Sequence, residues 1–185
     1  SMNVNFGQMN NKGIDLSLSG QIIRTKDWFW SMTLTGGHVM DKIQKISDGV
    51  SDDIDNPYDS TKPKILLREG GSQYDIFAMR SAGIDPATGK EIFIKRNGEY
   101  TYSYDEKERV AVGNTNPILQ GSWMNTVRLK GLSISIATTY TFGADYYNST
   151  LQGKVESINP EFNVDRRVFT DRWKQPGDHT RFLGI

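Results

Sequence analysis

Carboxylates are numerous among the groups able to do chemistry here, with 22 Asp and Glu in a chain of 185 residues. Asp52, Asp53 and Asp55 offer the hard oxygen ligands that calcium prefers. Asp85, Thr88, Gly89 and Glu91 form a second string of that kind. Neither follows the full calcium-loop pattern. A solvated acidic loop for the first and a plain β-turn for the second are the simpler readings, with Asp accepting backbone N–H groups and Gly supplying positive φ. Paired carboxylates about 5–9.5 Å apart can cleave glycosides, but no pair is singled out by spacing. The two histidines, His38 after Gly36-Gly37 and His179 beside Asp178, have no His or Cys partner at metal-ligand spacing. The chain has no cysteine, which removes disulfides, thiolate zinc sites and a cysteine nucleophile. It also lacks a G-x-S-x-G elbow and a phosphate-binding glycine loop. We therefore assign no catalytic residue, no metal ligand and no cofactor, and read the chain as not an enzyme.

Aromatic residues are the better candidates. Tyr74, Phe77, Trp123, Tyr146 and Tyr147 lie in or near long irregular stretches. Exposed rings there can stack on sugar faces or anchor a protein partner, and equally can pin a loop to its neighbour. Trp28 and Trp30 stand beside a short turn, on the apolar register of a strand. Amphipathic rings in that position suit a membrane interface, the other reading being core of a soluble sandwich. Asn148-Ser149-Thr150 matches a glycosylation pattern that matters only in a eukaryotic secretory route.

The elements that would position these residues follow from alternation. Ile14, Leu16 and Leu18 interleave with Asp15, Ser17 and Ser19, and Trp28, Trp30, Met32 and Leu34 with Phe29, Ser31, Thr33 and Thr35. Period two places successive side chains on opposite faces of a strand. With the polar Arg24-Thr25-Lys26-Asp27 between the runs, residues 14–34 read as a β-hairpin. A second hairpin is expected over 118–142, broken at Gly131, with Val127, Leu129, Leu132, Ile134 and Ile136 in alternation. Runs such as Ile14–Ile23 and Leu132–Phe142 reach the roughly 9–11 residues that a tilted strand needs to cross a bilayer.

The connections are unequal. Each pair closes through a very short turn, while 36–117 and 143–185 are long irregular segments. That asymmetry is typical of an outer-membrane barrel with its long loops outside the cell. Within the first long segment, Val39, Ile43 and Ile46 recur at helical spacing and predict a short helix. Ser47–Ser60 is acidic and turn-rich, Tyr74–Met79 reads as a strand, and Ile84–Tyr104 as a small hairpin with turns at Asp85–Gly89 and Asn97-Gly98. The expected fold is all-β and antiparallel: a partial outer-membrane barrel of two hairpins, with long extracellular loops holding a short helix and small hairpins.

Charge and hydropathy set bounds. Lys and Arg number 22, matching the acids, so net charge is zero. That argues against a general nucleic-acid binder and provides no overall attraction to an anionic membrane. No run of 18 or more apolar residues predicts a membrane helix, but strands that hide every second residue would not register in such a scan. Ser1-Met2 reads as a scar of tag removal, in which case the natural N-terminus, and any signal peptide with it, is missing.

Several blocks, in order along nearly the whole chain, resemble the C-terminal third of SusC/RagA-type TonB-linked outer-membrane proteins. They are Asn11-Lys12-Gly13-Ile14-Asp15-Leu16, Asp27-Trp28-Phe29-Trp30, Gly83 to Glu91 with Asn97-Gly98, and Asn116-Pro117 with Gly121. Lys130-Gly131-Leu132, Gly143 to Asn148 and Arg172 to Asp178 complete the set. The resemblance implies a cell outer-membrane importer whose barrel is filled by an N-terminal plug and capped by a SusD-like lipoprotein. It implies a glycan or peptide substrate and TonB as the partner that pulls on the plug. Against the family pattern, this chain shows no plug, no TonB-contacting box and no closing strands with a terminal aromatic. It is expected to be unable to transport alone, to depend on outer-membrane lipid and to self-associate. The rival readings are a soluble β-rich carbohydrate-binding or adhesion module and a secreted hydrolase.

Overall fold

The computed structural model describes residues 7–46, 61–159 and 161–184; Asp52, Asp53 and Asp55 lie outside them. In chain order the strands are β1 (Gly7–Arg24), β2 (Trp28–Ile46), β3 (Lys64–Ile65), β4 (Asp75–Ala78), β5 (Arg80–Ile84) and β6 (Glu91–Ile94). Then come β7 (Tyr100–Thr101), β8 (Val110–Asn114), β9 (Leu119–Leu129), β10 (Leu132–Phe142) and two short helices, α1 (Ser149–Val155) and α2 (Arg167–Thr170). The chain divides into two compact units.

The first unit is a four-stranded antiparallel sheet in the order β1-β2-β9-β10, with segments Leu66–Asp75 and Gly113–Asp145. Both short turns lie at one end, because Trp28 pairs with Leu129 and the Lys130 N–H donates to the Asp27 carbonyl at 2.8 Å. Register carries the alternation across all four strands. Leu18 faces Leu34, Leu34 faces Trp123, Trp30 faces Val127, and Val127 faces Ile134. One face is therefore a continuous apolar surface, with Ile14, Leu16, Leu18, Leu132, Ile134 and Ile136 exposed along it. The other face carries a ladder of hydroxyls: Ser19 with Thr33 at 3.1 Å, Thr35 with Ser122 at 2.8 Å and Thr126 with Ser135 at 3.1 Å.

The helix expected over Val39, Ile43 and Ile46 is instead the continuation of β2. Those residues pair with Gly13, Met9 and Gly7 of β1, so the ladder satisfies the backbone, and β-branched side chains suit a strand. Ile43 is buried beneath Leu66–Asp75, its N–H donating to Gly71 and its carbonyl accepting from Gly70, both at 2.8 Å. The strand thus runs on past Gly36, where a loop was expected to begin. At 18 and 19 residues, β1 and β2 are far longer than a bilayer crossing requires.

The second unit holds the small sheet β5-β6-β7, most of the sheet β3-β4-β8, and both helices. A small apolar cluster of Val155, Val168 and Phe182, flanked by Leu151, Ile158 and Val164, packs α1 against α2 and the final segment. Asn148 caps α1, its side-chain oxygen accepting the Leu151 N–H at 2.9 Å. Arg109, fully buried, bonds the Tyr104 hydroxyl at 2.6 Å and Glu106 at 2.8 Å.

Gly121 fixes the join between the hairpins. A Cβ there would stand 2.0 Å from the Thr35 carbonyl oxygen and 2.6 Å from the Tyr140 hydroxyl, which itself donates to that carbonyl at 2.6 Å. Gly121→Ala should separate β2 from β9 and cost about 1–3 kcal/mol. Tyr140→Phe, losing only the bond, should cost about 1 kcal/mol. Urea unfolding in detergent checks both, and equal stability of Gly121→Ala and the parent would contradict this account.

Candidate functional site

Two features can carry function: the apolar sheet face of the first unit and a cleft in the second.

On the sheet face, aromatic rings stand near both ends. Trp28 and Trp30 are at the turn end, where the Trp30 Nε1 donates to Asn125 Oδ1 at 3.3 Å, giving the one polar residue among its neighbours on this face a partner. Tyr140 and Phe142 are at the loop end, their ring centroids 5.7 Å apart. β10, 11 residues long, measures roughly 33–36 Å at the usual rise. At a barrel tilt of about 40° it rises roughly 25–28 Å, the height of an outer-membrane apolar band. Trp123 belongs to this face, opposite Leu34 and Thr138, and not to a loop. Beneath the turns, on the hydroxyl face, the Arg128 guanidinium sits 4.5 Å above the Phe29 ring.

The cleft, of about 750 Å³, is lined among others by Thr88, Glu91, Tyr102, Tyr147, Glu156 and Trp173. The Asp85–Gly89 turn contributes Thr88 and Gly89 to the lining. Both Asp85 oxygens are occupied, by the Ala87 N–H at 2.9 Å, the Thr88 hydroxyl at 2.7 Å and the Tyr102 hydroxyl at 2.8 Å. These bonds, that from Thr88 foremost, lower the Asp85 pKa, and the same carboxylate raises that of Tyr102. Trp173 grips the turn: its Nε1 donates to the Pro86 carbonyl at 2.9 Å and its ring lies where a Cβ on Gly89 would fall. Gly89 also has φ +71°, so only glycine suits this position on both counts.

Arg172 anchors that grip. Its guanidinium is buried and donates to the carbonyls of Val155, Glu156, Leu183 and Gly184. The Gly177 and Gly184 N–H groups then bond the carbonyls of Pro86 and Gly89. Glu156, half-buried beside this network, has its pKa raised, first by burial and then by the Glu91 carboxylate, with Arg172 opposing.

Of the five loop aromatics, Tyr147 lines the cleft. Tyr146 is 76% exposed, and Tyr74 is exposed in the first unit. Phe77 is only 5% exposed on β4, which leaves its ring no open face for a ligand. His38 Nδ1 donates to the Ile118 carbonyl at 2.6 Å, tying β2 to the lead-in of β9. Among the described residues no three His, Asp or Glu gather as a metal site. Sequence reasoning did not single out Tyr102, Glu156 or Trp173 as lining residues. The available signal was the Arg172 to Asp178 block, which serves to clamp the Asp85–Gly89 turn.

No family model matches the chain. A TonB-dependent receptor, P3 of Formosa agariphila, is 23% identical over 166 residues, covering 80% of this chain and 16% of that protein. The RagAB peptide transporter matches with a TM-score of 0.77 at 23% identity, over 98% of this chain and 20% of that one. The RagAB peptide importer in its open-open state matches at TM-score 0.75, 22% identity, 97% of this chain and 19% of that one. The chain resembles a wall segment of a SusC/RagA-type TonB-linked barrel. The relatives are a receptor and importers, not enzymes, and this chain spans about one-sixth to one-fifth of their length. Within such a wall the sheet is an open arc, with β1 and β10 at its edges.

Two outcomes are expected in the second unit. Arg172→Met leaves four carbonyls without their donor and should cost at least about 2 kcal/mol; hydrogen exchange at Gly177 and Gly184 should accelerate. Because the folded state raises the Glu156 pKa, its ionisation opposes folding once pH climbs above the ordinary glutamate value of 4.5. Glu156→Gln should therefore be more stable than the parent at neutral pH and equal to it well below that value, as denaturation midpoints would record.

Proposed function

We propose that this chain is part of the barrel wall and outer loops of a TonB-dependent importer in a bacterial outer membrane. The observation that carries the proposal is the single apolar face, in register over four strands and of bilayer height, with aromatic rings near both ends. Trp28 and Trp30 are assigned to the inner interface, where the short turns lie. The hydroxyl face then lines the lumen, as alternation in a barrel wall requires.

The cargo is an oligomeric nutrient, peptide or glycan, and the RagAB likeness favours peptide. A SusD-like lipoprotein is the partner on the outer side, and TonB acts on a plug encoded elsewhere in the whole protein. Tyr146 and Tyr147, with Tyr74, are offered to substrate or lid, where exposed rings give contact area at low entropic cost. Phe77 and Trp123 are taken up by packing and by the lipid face. Standing alone, the chain self-associates through β1 and β10, the edge strands of the sheet among the described residues.

Light scattering with and without detergent tests the proposal. An oligomer that detergent disperses is expected, and a compact monomer of 20.9 kDa indifferent to detergent would favour a soluble module instead. In phospholipid, Ile136→Arg on the apolar face should cost about 2–4 kcal/mol and Ser135→Arg on the opposite face little. Equal costs at the two sites would overturn the lipid-facing assignment.

A further inference from the structure

Beyond the loop end of the apolar band, β1 and β2 continue together, and the same face continues with them. Register places Ile14 opposite His38, then Lys12 opposite Met40, then Asn10 opposite Lys42. Ile14 stands at the level of Phe142, since Gly37 pairs with Gln120 and Leu119 with Phe142. The two lysines therefore project one and two pairs above the outer aromatic rings, roughly 7 to 14 Å along the strand. Lys12, Met40 and Lys42 are all exposed.

The carboxylates of this stretch are on the opposite face. Asp41 pairs with Asn11 and accepts the Ser72 hydroxyl at 2.5 Å and the Gln73 N–H at 2.7 Å. Asp15 pairs with Gly37. Among the described residues of β1 and β2, the acids thus share the face on which Asp41 meets Ser72 and Gln73, and the lysines share the face continuous with the lipid-facing band. Among the described residues, this face of a chain of zero net charge presents a local positive step where an outer leaflet would place its headgroups.

We infer that Lys12 and Lys42 form a docking surface for phosphate-bearing headgroups of outer-leaflet lipid. The inference rests on the membrane-wall reading of the sheet. The ammonium groups supply the charge, and the flexible stems let each side chain lie along apolar surface while its head reaches the phosphate layer. Met40, between them on the same face, provides apolar contact for acyl-chain or stem carbons.

Vesicle flotation of the chain decides the matter, using phosphatidylcholine alone and an equimolar mixture with phosphatidylglycerol. Tighter partition into the mixture is expected, by roughly fivefold per lysine and diminishing with added salt. The Lys12→Gln/Lys42→Gln double variant should keep the parent's partition into phosphatidylcholine and lose the increment. Lys12→Arg/Lys42→Arg should retain it. Equal partition of the parent into both vesicles would overturn the lysine assignment while leaving the wall reading intact, as would an increment that survives the double Gln variant. Partition into neither would overturn both.

Discussion

The pairing of β2 with β9 is the constraint on which the first unit depends. These strands are far apart in sequence, and their register decides how two separately amphipathic hairpins combine. Side chains alternate with period two, so a slip of one residue would turn Trp123, Val127 and Leu129 to the hydroxyl face and Arg128 to the apolar one. The close approach at Gly121, with Tyr140 reaching over it to the Thr35 carbonyl, admits one register. The hydroxyl pair of Thr35 and Ser122 beside it adds a specific contact on the other face. A glycine crossed by a neighbouring aromatic is a familiar device for pinning strands, and here it sits where the two hairpins meet.

From that register the chemistry of each face follows. The apolar side has Trp28 and Trp30 at one end, Tyr140 and Phe142 at the other, and mainly aliphatic residues between, with Trp123, Asn125 and Thr138 among them, a distribution that suits a strand wall in a bilayer. Asn125 is tolerated there because the Trp30 indole supplies its donor. The hydroxyl side satisfies its polar groups across strands, suiting a water-filled interior. The same parity, carried past the band, separates Lys12 and Lys42 from Asp15 and Asp41. One geometric rule thus sorts the apolar face, the hydroxyl face and the charges above them.

The second unit is organised differently. Its apolar cluster is small, and much of its order comes from backbone carbonyls gathered by a few donors. Arg172 binds four of them, and Trp173 with the Gly177 and Gly184 amides closes on the Asp85–Gly89 turn. An always-charged, five-donor guanidinium suits such a hub, since each buried carbonyl would otherwise lose its hydration without return. The cleft beside this hub places the Glu91 and Glu156 carboxylates among the Tyr102, Tyr147 and Trp173 rings.

Alternation at Ile14–Leu18, Trp28–Leu34 and Leu132–Ile136 made the strands and their two faces legible, because period two is a local property of the chain. The Asp85–Gly89 and Asn97-Gly98 turns were legible for the same reason, as turn chemistry resides in adjacent residues. The helix expected over Val39–Ile46 went the other way, since helical spacing and strand residues coexist there and only the distant β1 partner settles between them. Phe77 and Trp123 were legible as strand residues, within the runs 74–79 and 118–142, but the burial of the one and the sheet-face partners of the other come from long-range pairing. The order β1-β2-β9-β10, the clamp of Arg172 and Trp173 on a turn more than eighty residues earlier, and the sorting of lysines from aspartates were decided by tertiary structure. Each depends on which segment lies opposite which, and that is set by long-range register and close approach, quantities that no local window of sequence contains.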